Sequence, residues 1–96
     1  MKTIVINPKE RDDGRLPYPF FIDEAGNVGR QDFWRGQPLK LIGFNGSAEN
    51  KTVEPAIGLE DFLENPHKCL GLYPIFEDDD EEWHTWRDPI ESVTYL

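Results

Sequence analysis

The apolar residues of this 96-residue chain are confined to short runs, and proline or glycine interrupts the chain between most of them. Runs of this length, bounded by turn-forming residues, are typical of short β-strands rather than long helices. Residues 2–7 alternate around two isoleucines and end at Pro8. The further strand candidates are residues 20–22, 39–44, 70–77, 83–87 and 90–96, with residues 31–35 too short to assign to helix or strand.

One segment has helical spacing instead. Leu59, Phe62 and Leu63 fall at i, i+3 and i+4, so they share one face of a helix near residues 58–66, and the prolyl bond at Pro66 predicts its end. The sequence therefore predicts a single α+β domain spanning residues 1–96. It consists of an antiparallel sheet of about five to six short strands with one short helix.

The charge of the chain is distributed unevenly. Residues 1–59 hold eight acidic and eight basic residues, whereas residues 60–96 hold eleven acidic residues and only Lys68 and Arg87, so the net charge of −9 belongs to the last third. This distribution disfavours nucleic acid and anionic membranes as partners and favours a protein with a basic patch. A small patch of arginines and aromatics at residues 30–35 is nearly neutralised by neighbouring acids, which argues against nucleic-acid binding there.

The strongest electrostatic feature is an uninterrupted acidic run at residues 77–82, followed closely by two tryptophans. It falls where two apolar strands need a polar connection, so it is first of all the tip of a hairpin. On a strand, Trp83 and Trp86 point to opposite faces, and an exposed tryptophan beside carboxylates is typical of a protein-binding surface. The predicted partner-binding residues are Glu77, Asp78, Asp79, Asp80, Glu81, Glu82, Trp83 and Trp86. The alternative, that both tryptophans are core residues and the tip is only solvated, has equal weight.

Motifs for catalysis or metal binding are missing from the sequence. A calcium loop beginning at Glu77 would place Glu82 where the turn needs glycine, and no helices flank it. Zinc would need His67, Cys69, His84 and a carboxylate to converge, whereas one exposed histidine and one small buried thiol is the simpler interpretation. No nucleophile elbow or phosphate loop is present either. We therefore predict a non-enzymatic protein without metal or cofactor.

The location of the protein can also be inferred. A single cysteine excludes an intramolecular disulfide and suits a reducing compartment. The first ten residues lack the hydrophobic length of a signal peptide, and no segment approaches the roughly 20 apolar residues of a membrane span. We expect a soluble, cytoplasmic protein.

Three segments carry a resemblance to a known group: 15-RLPYPFFIDEAGNVGRQDFW-34, 41-LIGF-44 and 70-LGLYPIFEDDDEEWHTWRDPIESVTYL-96. Together they span most of the chain and resemble small uncharacterised proteins encoded by phages of mycobacteria and related actinobacteria. The resemblance implies a protein that binds and modulates a host protein in the host cytoplasm. It implies no functional residues, because none is assigned in that group.

The leading hypothesis is thus a small acidic protein-binding module that acts on a host protein. The alternative is a DNA mimic whose carboxylates occupy the groove of a DNA-binding protein; its acidic face would add Glu60, Asp61, Glu64, Asp88 and Glu91. A structural virion component and a metal-dependent enzyme are weaker alternatives. The sequence leaves undetermined the partner, the oligomeric state, and whether the Pro74-bearing strand pairs with another chain.

Overall fold

Two antiparallel sheets and one short α-helix form the described part of the chain, which comprises residues 2–29, 38–49 and 54–96 of a computed structural model. The strands are β1 (Ile4–Pro8), β2 (Phe20–Ile22), β3 (Lys40–Asn45), β4 (Ile57–Gly58), β5 (Tyr73–Glu77), β6 (Trp83–Thr85) and β7 (Ile90–Tyr95). Helix α1 (Leu59–Glu64) leads into a 3-10 helix, Pro66–Cys69. The first sheet has the order β2-β1-β7 and the second β4-β3-β5-β6.

The α+β fold class predicted from the sequence is confirmed, but the strand count is higher. The described residues form seven strands in two sheets, where about five to six strands in one sheet were expected. The additional strand, β4, is two residues long and pairs with β3, and two residues show no periodicity from which to predict it. The segment 31–35 and the arginine–aromatic patch at 30–35 lie outside the described residues.

The core lies between the two sheets. Phe20 on β2 and Phe76 on β5 are fully buried, and their ring centroids are 4.6 Å apart, so they join the sheets directly. On β1, Ile4 and Ile6 face this core together, which follows from the two-residue period of a strand. Burial of such side chains is the main favourable term for a domain of this size.

Helix α1 follows its predicted pattern. Its apolar face turns Phe62 inward, and the Phe62 ring lies 5.0 Å from that of Phe44 on β3. The helix ends at Glu64, directly before the Asn65–Pro66 bond, because the residue preceding a proline is disfavoured in the helical region. No helix in the described ranges has the length and apolar character needed to cross a bilayer.

From the sequence, Pro74 argues for either an edge strand or a bulge; β5 is not an edge strand, but its pairing with β3 has a register shift between Leu41 and Gly43. The strand lies between β3 and β6, and Pro74 is fully buried. The nitrogen of the Pro74 ring faces β6, but β6 ends at Thr85, which pairs with Ile75, so it does not extend to the position opposite Pro74. The Pro74 carbonyl still accepts a hydrogen bond from the Trp86 amide at 2.8 Å, so the interior strand loses only one donor at the limit of its pairing.

Candidate functional site

The acidic run forms the tip of the hairpin between β5 and β6, as predicted from its position between apolar strands. The Asp78 amide donates to the Glu82 carbonyl at 3.0 Å, and the Glu81 amide donates to the Asp78 carbonyl at 3.1 Å. Glu81 has a positive φ of 62°. These features define a three-residue hairpin loop in which a type I turn is followed by a residue in the left-handed region.

The Asp78 carboxylate organises this loop from inside. Its Oδ1 accepts hydrogen bonds from the amides of Asp80 at 2.9 Å and Glu82 at 3.0 Å, and its Oδ2 lies 2.8 Å from Nε2 of His84. The Asp78 side chain is only 6% exposed. The hydrogen bond with His84, followed by those from the two amides, holds the pKa of Asp78 below its ordinary value, although burial opposes the shift.

The predicted partner-binding residues divide into an inner and an outer set. Among the inner set, Asp78 is buried, and Glu77 is half-buried and accepts a hydrogen bond from the Trp83 indole at 3.0 Å. The outer set consists of four consecutive exposed residues: Asp79, Asp80, Glu81 and Glu82. We call these four residues the outer tip.

The two tryptophans have different surroundings. Trp86 packs against the core, with its ring at 5.4 Å from Phe20 and 5.9 Å from Phe76 in edge-on geometry. Trp83 is half-buried at the start of β6, beside the outer tip, and its indole is tethered to Glu77. Trp83 is therefore the tryptophan that adjoins the carboxylates, whereas Trp86 packs the hairpin against the core.

Sequence reasoning missed the role of His84, which it considered as a candidate zinc ligand and as a possible catalytic partner of Cys69. The hairpin register places Phe76 opposite His84, and Asp78 opposite Glu82 through their backbone hydrogen bond. Because residues two apart on a strand share a face, Asp78 and His84 become diagonal neighbours. The signal was present in the sequence, but it becomes usable only when the loop length, and thus the register, is known.

One set of potential metal ligands occurs at this tip. Ligand atoms of Asp78, Glu82 and His84 all lie within 4.8 Å of one another. The hairpin itself accounts for this convergence, because Asp78 already accepts two amide hydrogen bonds and contacts His84. Carboxylates and a histidine brought together in this way do not define a metal site without a further ligand directed at the same point.

The other zinc-ligand candidates lie elsewhere and match the simpler interpretation made from the sequence. His67 is exposed, with its Nδ1 at 3.4 Å from the Tyr95 hydroxyl. Cys69 is fully buried in the core, and burial raises the pKa of its thiol to about 12. Such a thiol is a small apolar core group rather than a ligand or nucleophile.

Asp88, one of the residues assigned to a DNA-mimicking face, has a structural role. Its carboxylate receives two hydrogen bonds from Arg11, at 3.0 Å from Nε and 2.8 Å from Nη2, and Asp88 is 5% exposed. This paired geometry joins residues 77 positions apart in the chain. Asp88 is thus unavailable to a DNA-mimicking surface, whereas Glu60, Asp61, Glu64 and Glu91 are exposed.

Comparison of the chain with protein-family models, with curated proteins and with solved structures found no match.

Proposed function

We propose that this protein is a non-enzymatic binding module that contacts a basic surface of a partner protein through the outer tip, with Trp83 at the edge of the contact. The observation that carries the proposal is that the residues of the acidic run differ in orientation and exposure. Asp78 turns inward and orders the loop, so that the four residues of the outer tip are left exposed on a defined backbone.

Order in the loop favours binding because less conformational entropy is lost when the partner docks. The carboxylates of the outer tip are close in sequence and carry like charges, so they create a local negative field that steers a basic partner. Trp83 adds apolar area beside that field, and its indole is already held by Glu77. Tryptophan in such a position is a frequent contributor to binding energy.

The resemblance to phage proteins makes a host protein the expected partner and the host cytoplasm the expected location. We therefore expect the partner in a lysate of an actinobacterial host. In this proposal the protein modulates that partner by occupying its basic surface, and it performs no chemistry of its own.

A matched pair of charge-neutralised variants tests the proposal. The first carries Asp79→Asn, Asp80→Asn, Glu81→Gln and Glu82→Gln. The control removes the same charge from exposed positions elsewhere: Glu60→Gln, Asp61→Asn, Glu64→Gln and Glu91→Gln. Each protein is immobilised and used to capture proteins from the lysate, and the captured proteins are identified by mass spectrometry at two salt concentrations.

We expect the wild type and the control to retain the same partner and the outer-tip variant to lose it. Capture by the wild type should weaken at the higher salt concentration, since exposed charges are screened over about 8–10 Å. Equal capture by both variants, or no specific partner for the wild type, contradicts the proposal. Release of the partner by duplex DNA would instead support the DNA-mimic alternative.

A further inference from the structure

Strand β7 has a partly open outer edge. The Leu96 amide donates to the Thr3 carbonyl at 3.0 Å, on the β1 side. Since backbone groups alternate in direction along a strand, Thr94 and Ser92 also bond towards β1, whereas Val93 and Tyr95 direct their N–H and C=O groups away from it. In the ranges that the structure describes, no residue pairs with these outward groups of Val93 and Tyr95.

The beginning of the same edge is occupied. The Gly71 amide donates to the Ile90 carbonyl at 2.8 Å, and the Ile90 amide donates to the Leu72 carbonyl at 2.9 Å. The open part of the edge therefore begins after Ile90, which limits the ways in which another strand can pair with β7.

The open part lacks the usual protection of a sheet edge. Edge strands are commonly shielded by charged side chains or proline, but residues 92–96 contain neither. Tyr95 is 54% exposed and Leu96 is 72% exposed, so apolar surface accompanies the unpaired backbone groups. In a chain with a net charge of −9, the segment 92–96 is a place where two copies can approach without charged side chains facing each other.

We propose that β7 pairs with β7 of a second copy of this chain, antiparallel and about a two-fold axis at Thr94. Val93 then bonds with the partner's Tyr95, and Tyr95 with the partner's Val93, which satisfies every outward backbone group of both residues. The two three-stranded sheets become one continuous sheet. In this register neither Glu91 lies opposite the other.

The occupied part of the edge excludes one neighbouring register. An axis at Val93 would place the partner's Leu96 opposite Ile90, whose outward groups are already bonded to Gly71 and Leu72. An edge of this length buries less than the roughly 1,000 Å² of a stable interface, so the dimer is expected to be weak and concentration-dependent. The proposal is independent of the proposed function, because β7 belongs to the first sheet and the outer tip to the second.

Charge substitution at the axis tests the pairing. Thr94 is exposed, and its nearest counterpart across the axis is the partner's Thr94, at a Cβ separation of about 4.5–5.5 Å. Thr94→Lys and Thr94→Asp should each weaken dimerisation about fivefold, because like charges then meet at the axis. A mixture of the two variants should restore association as a heterodimer.

Sedimentation analysis over a concentration series measures these changes. Thr94→Val is the control for loss of the hydrogen bond that Asn7 Nδ2 donates to Thr94 Oγ1 at 3.1 Å, and it should dimerise like the wild type. Thr94→Lys lowers the net negative charge, so long-range repulsion cannot account for its weaker association. In parallel, hydrogen exchange at the Val93 and Tyr95 amides should slow as wild-type concentration rises.

Three results would overturn the pairing. The first is a wild type that stays monomeric over the whole series. The second is a dimer that persists unchanged in Thr94→Lys, which would place the interface elsewhere. The third is exchange at Val93 and Tyr95 that does not depend on concentration.

Discussion

The turn that follows β2 and the turn between β5 and β6 have the same backbone design with different residues. Each turn begins with an aspartate whose backbone amide donates a hydrogen bond to the carbonyl four residues later. The Oδ1 atom of the same aspartate accepts hydrogen bonds from the amides two and four residues later. Asp23 begins the first turn and Asp78 the second. The fourth residue has a positive φ in each, 86° at Gly26 and 62° at Glu81.

The difference at the fourth residue shows how each turn is used. Gly26 is buried, and a Cβ added there would lie 2.7 Å from Cδ2 of Leu59 and 3.1 Å from the Leu41 carbonyl. Glu81 is exposed and has the less favourable backbone conformation for a residue with a side chain. The first turn is shaped by packing, whereas the second places a residue with an exposed carboxylate in the strained conformation.

The two aspartates also differ in their partners. Oδ2 of Asp23 accepts a hydrogen bond from the Asn27 side chain at 3.1 Å, while Oδ2 of Asp78 contacts the His84 ring. Desolvation works to raise the pKa of Asp23, but the hydrogen bonds from Asn27, Ala25 and Gly26 hold it below its ordinary value. Among the described contacts, the aspartate of the second turn lies against a histidine of its own hairpin, and the aspartate of the first turn does not.

Gly26→Ala is expected to have the largest effect on stability. The alanine must adopt a left-handed conformation and displace its packed neighbours, which together cost about 2–5 kcal/mol. Gly14→Ala is the matched control: Gly14 has a similar φ of 84°, but a Cβ there meets nothing within 4 Å. It should cost only about 1–2 kcal/mol. Urea unfolding followed by tryptophan fluorescence measures both, and equal losses would show that packing does not distinguish the first turn.

Asp78→Asn should reduce stability more than Asp23→Asn at pH 6. Asparagine preserves the oxygen that accepts the amide hydrogen bonds in both turns, but at residue 78 it places an uncharged amide nitrogen where Oδ2 contacts the His84 ring. Thermal unfolding midpoints compare the variants, each also prepared with His84→Gln. The difference between the two substitutions should shrink in that background, and a difference that persists would assign the effect to something other than His84.

The lowered pKa values of the two aspartates predict how the stability of the wild type and of these variants depends on pH. Both aspartates have lowered pKa values in the folded protein, so their contribution to stability is present above about pH 4, the unfolded value, and is lost as the pH falls through the folded pKa. Asp78→Asn should therefore flatten the decline of stability in acid. Unfolding midpoints measured from pH 6 down to about pH 2 give the slope. A slope equal to that of the wild type would contradict the assignment.

Glu81→Gly should have the smallest effect and the opposite sign. Glycine removes the left-handed strain and should stabilise the protein by about 0.5–1 kcal/mol. Asp80→Gly, at a position without positive φ, should instead be destabilising. If the Glu81 side chain also contacts the partner, Glu81→Gly will weaken capture while raising stability. A loss of stability in Glu81→Gly would show that the positive φ at residue 81 does not strain the second turn.

Parts of this fold were predictable because their signals are local. Helix α1 was predicted from the spacing of Leu59, Phe62 and Leu63 and from the proline that follows, and it begins at Leu59 and ends before that proline. The hairpin at the acidic run was predicted from two apolar segments and a polar connection. The division into two sheets was not predicted, because β1 pairs with β7 from the other end of the chain and no local pattern identifies such partners.

The candidate site was only half predictable for the same reason. The sequence marked the whole acidic run as one feature, but the structure separates Asp78, which is buried against His84, from the exposed outer tip. Likewise, the three-residue spacing of Trp83 and Trp86 predicts opposite faces but not which one meets the core. That depended on Phe20, contributed by the other sheet.

By itself, the sequence determined the short strands, the one helix, the turn-forming residues and the concentration of negative charge in the last third. These depend on residues within a few positions of one another and on composition. Only the tertiary structure decided which carboxylates are exposed, since Asp78 and Asp88 are buried against His84 and Arg11. Such pairings arise when the chain closes on itself, because a buried charge must find a partner and that partner is set by the packing of distant strands.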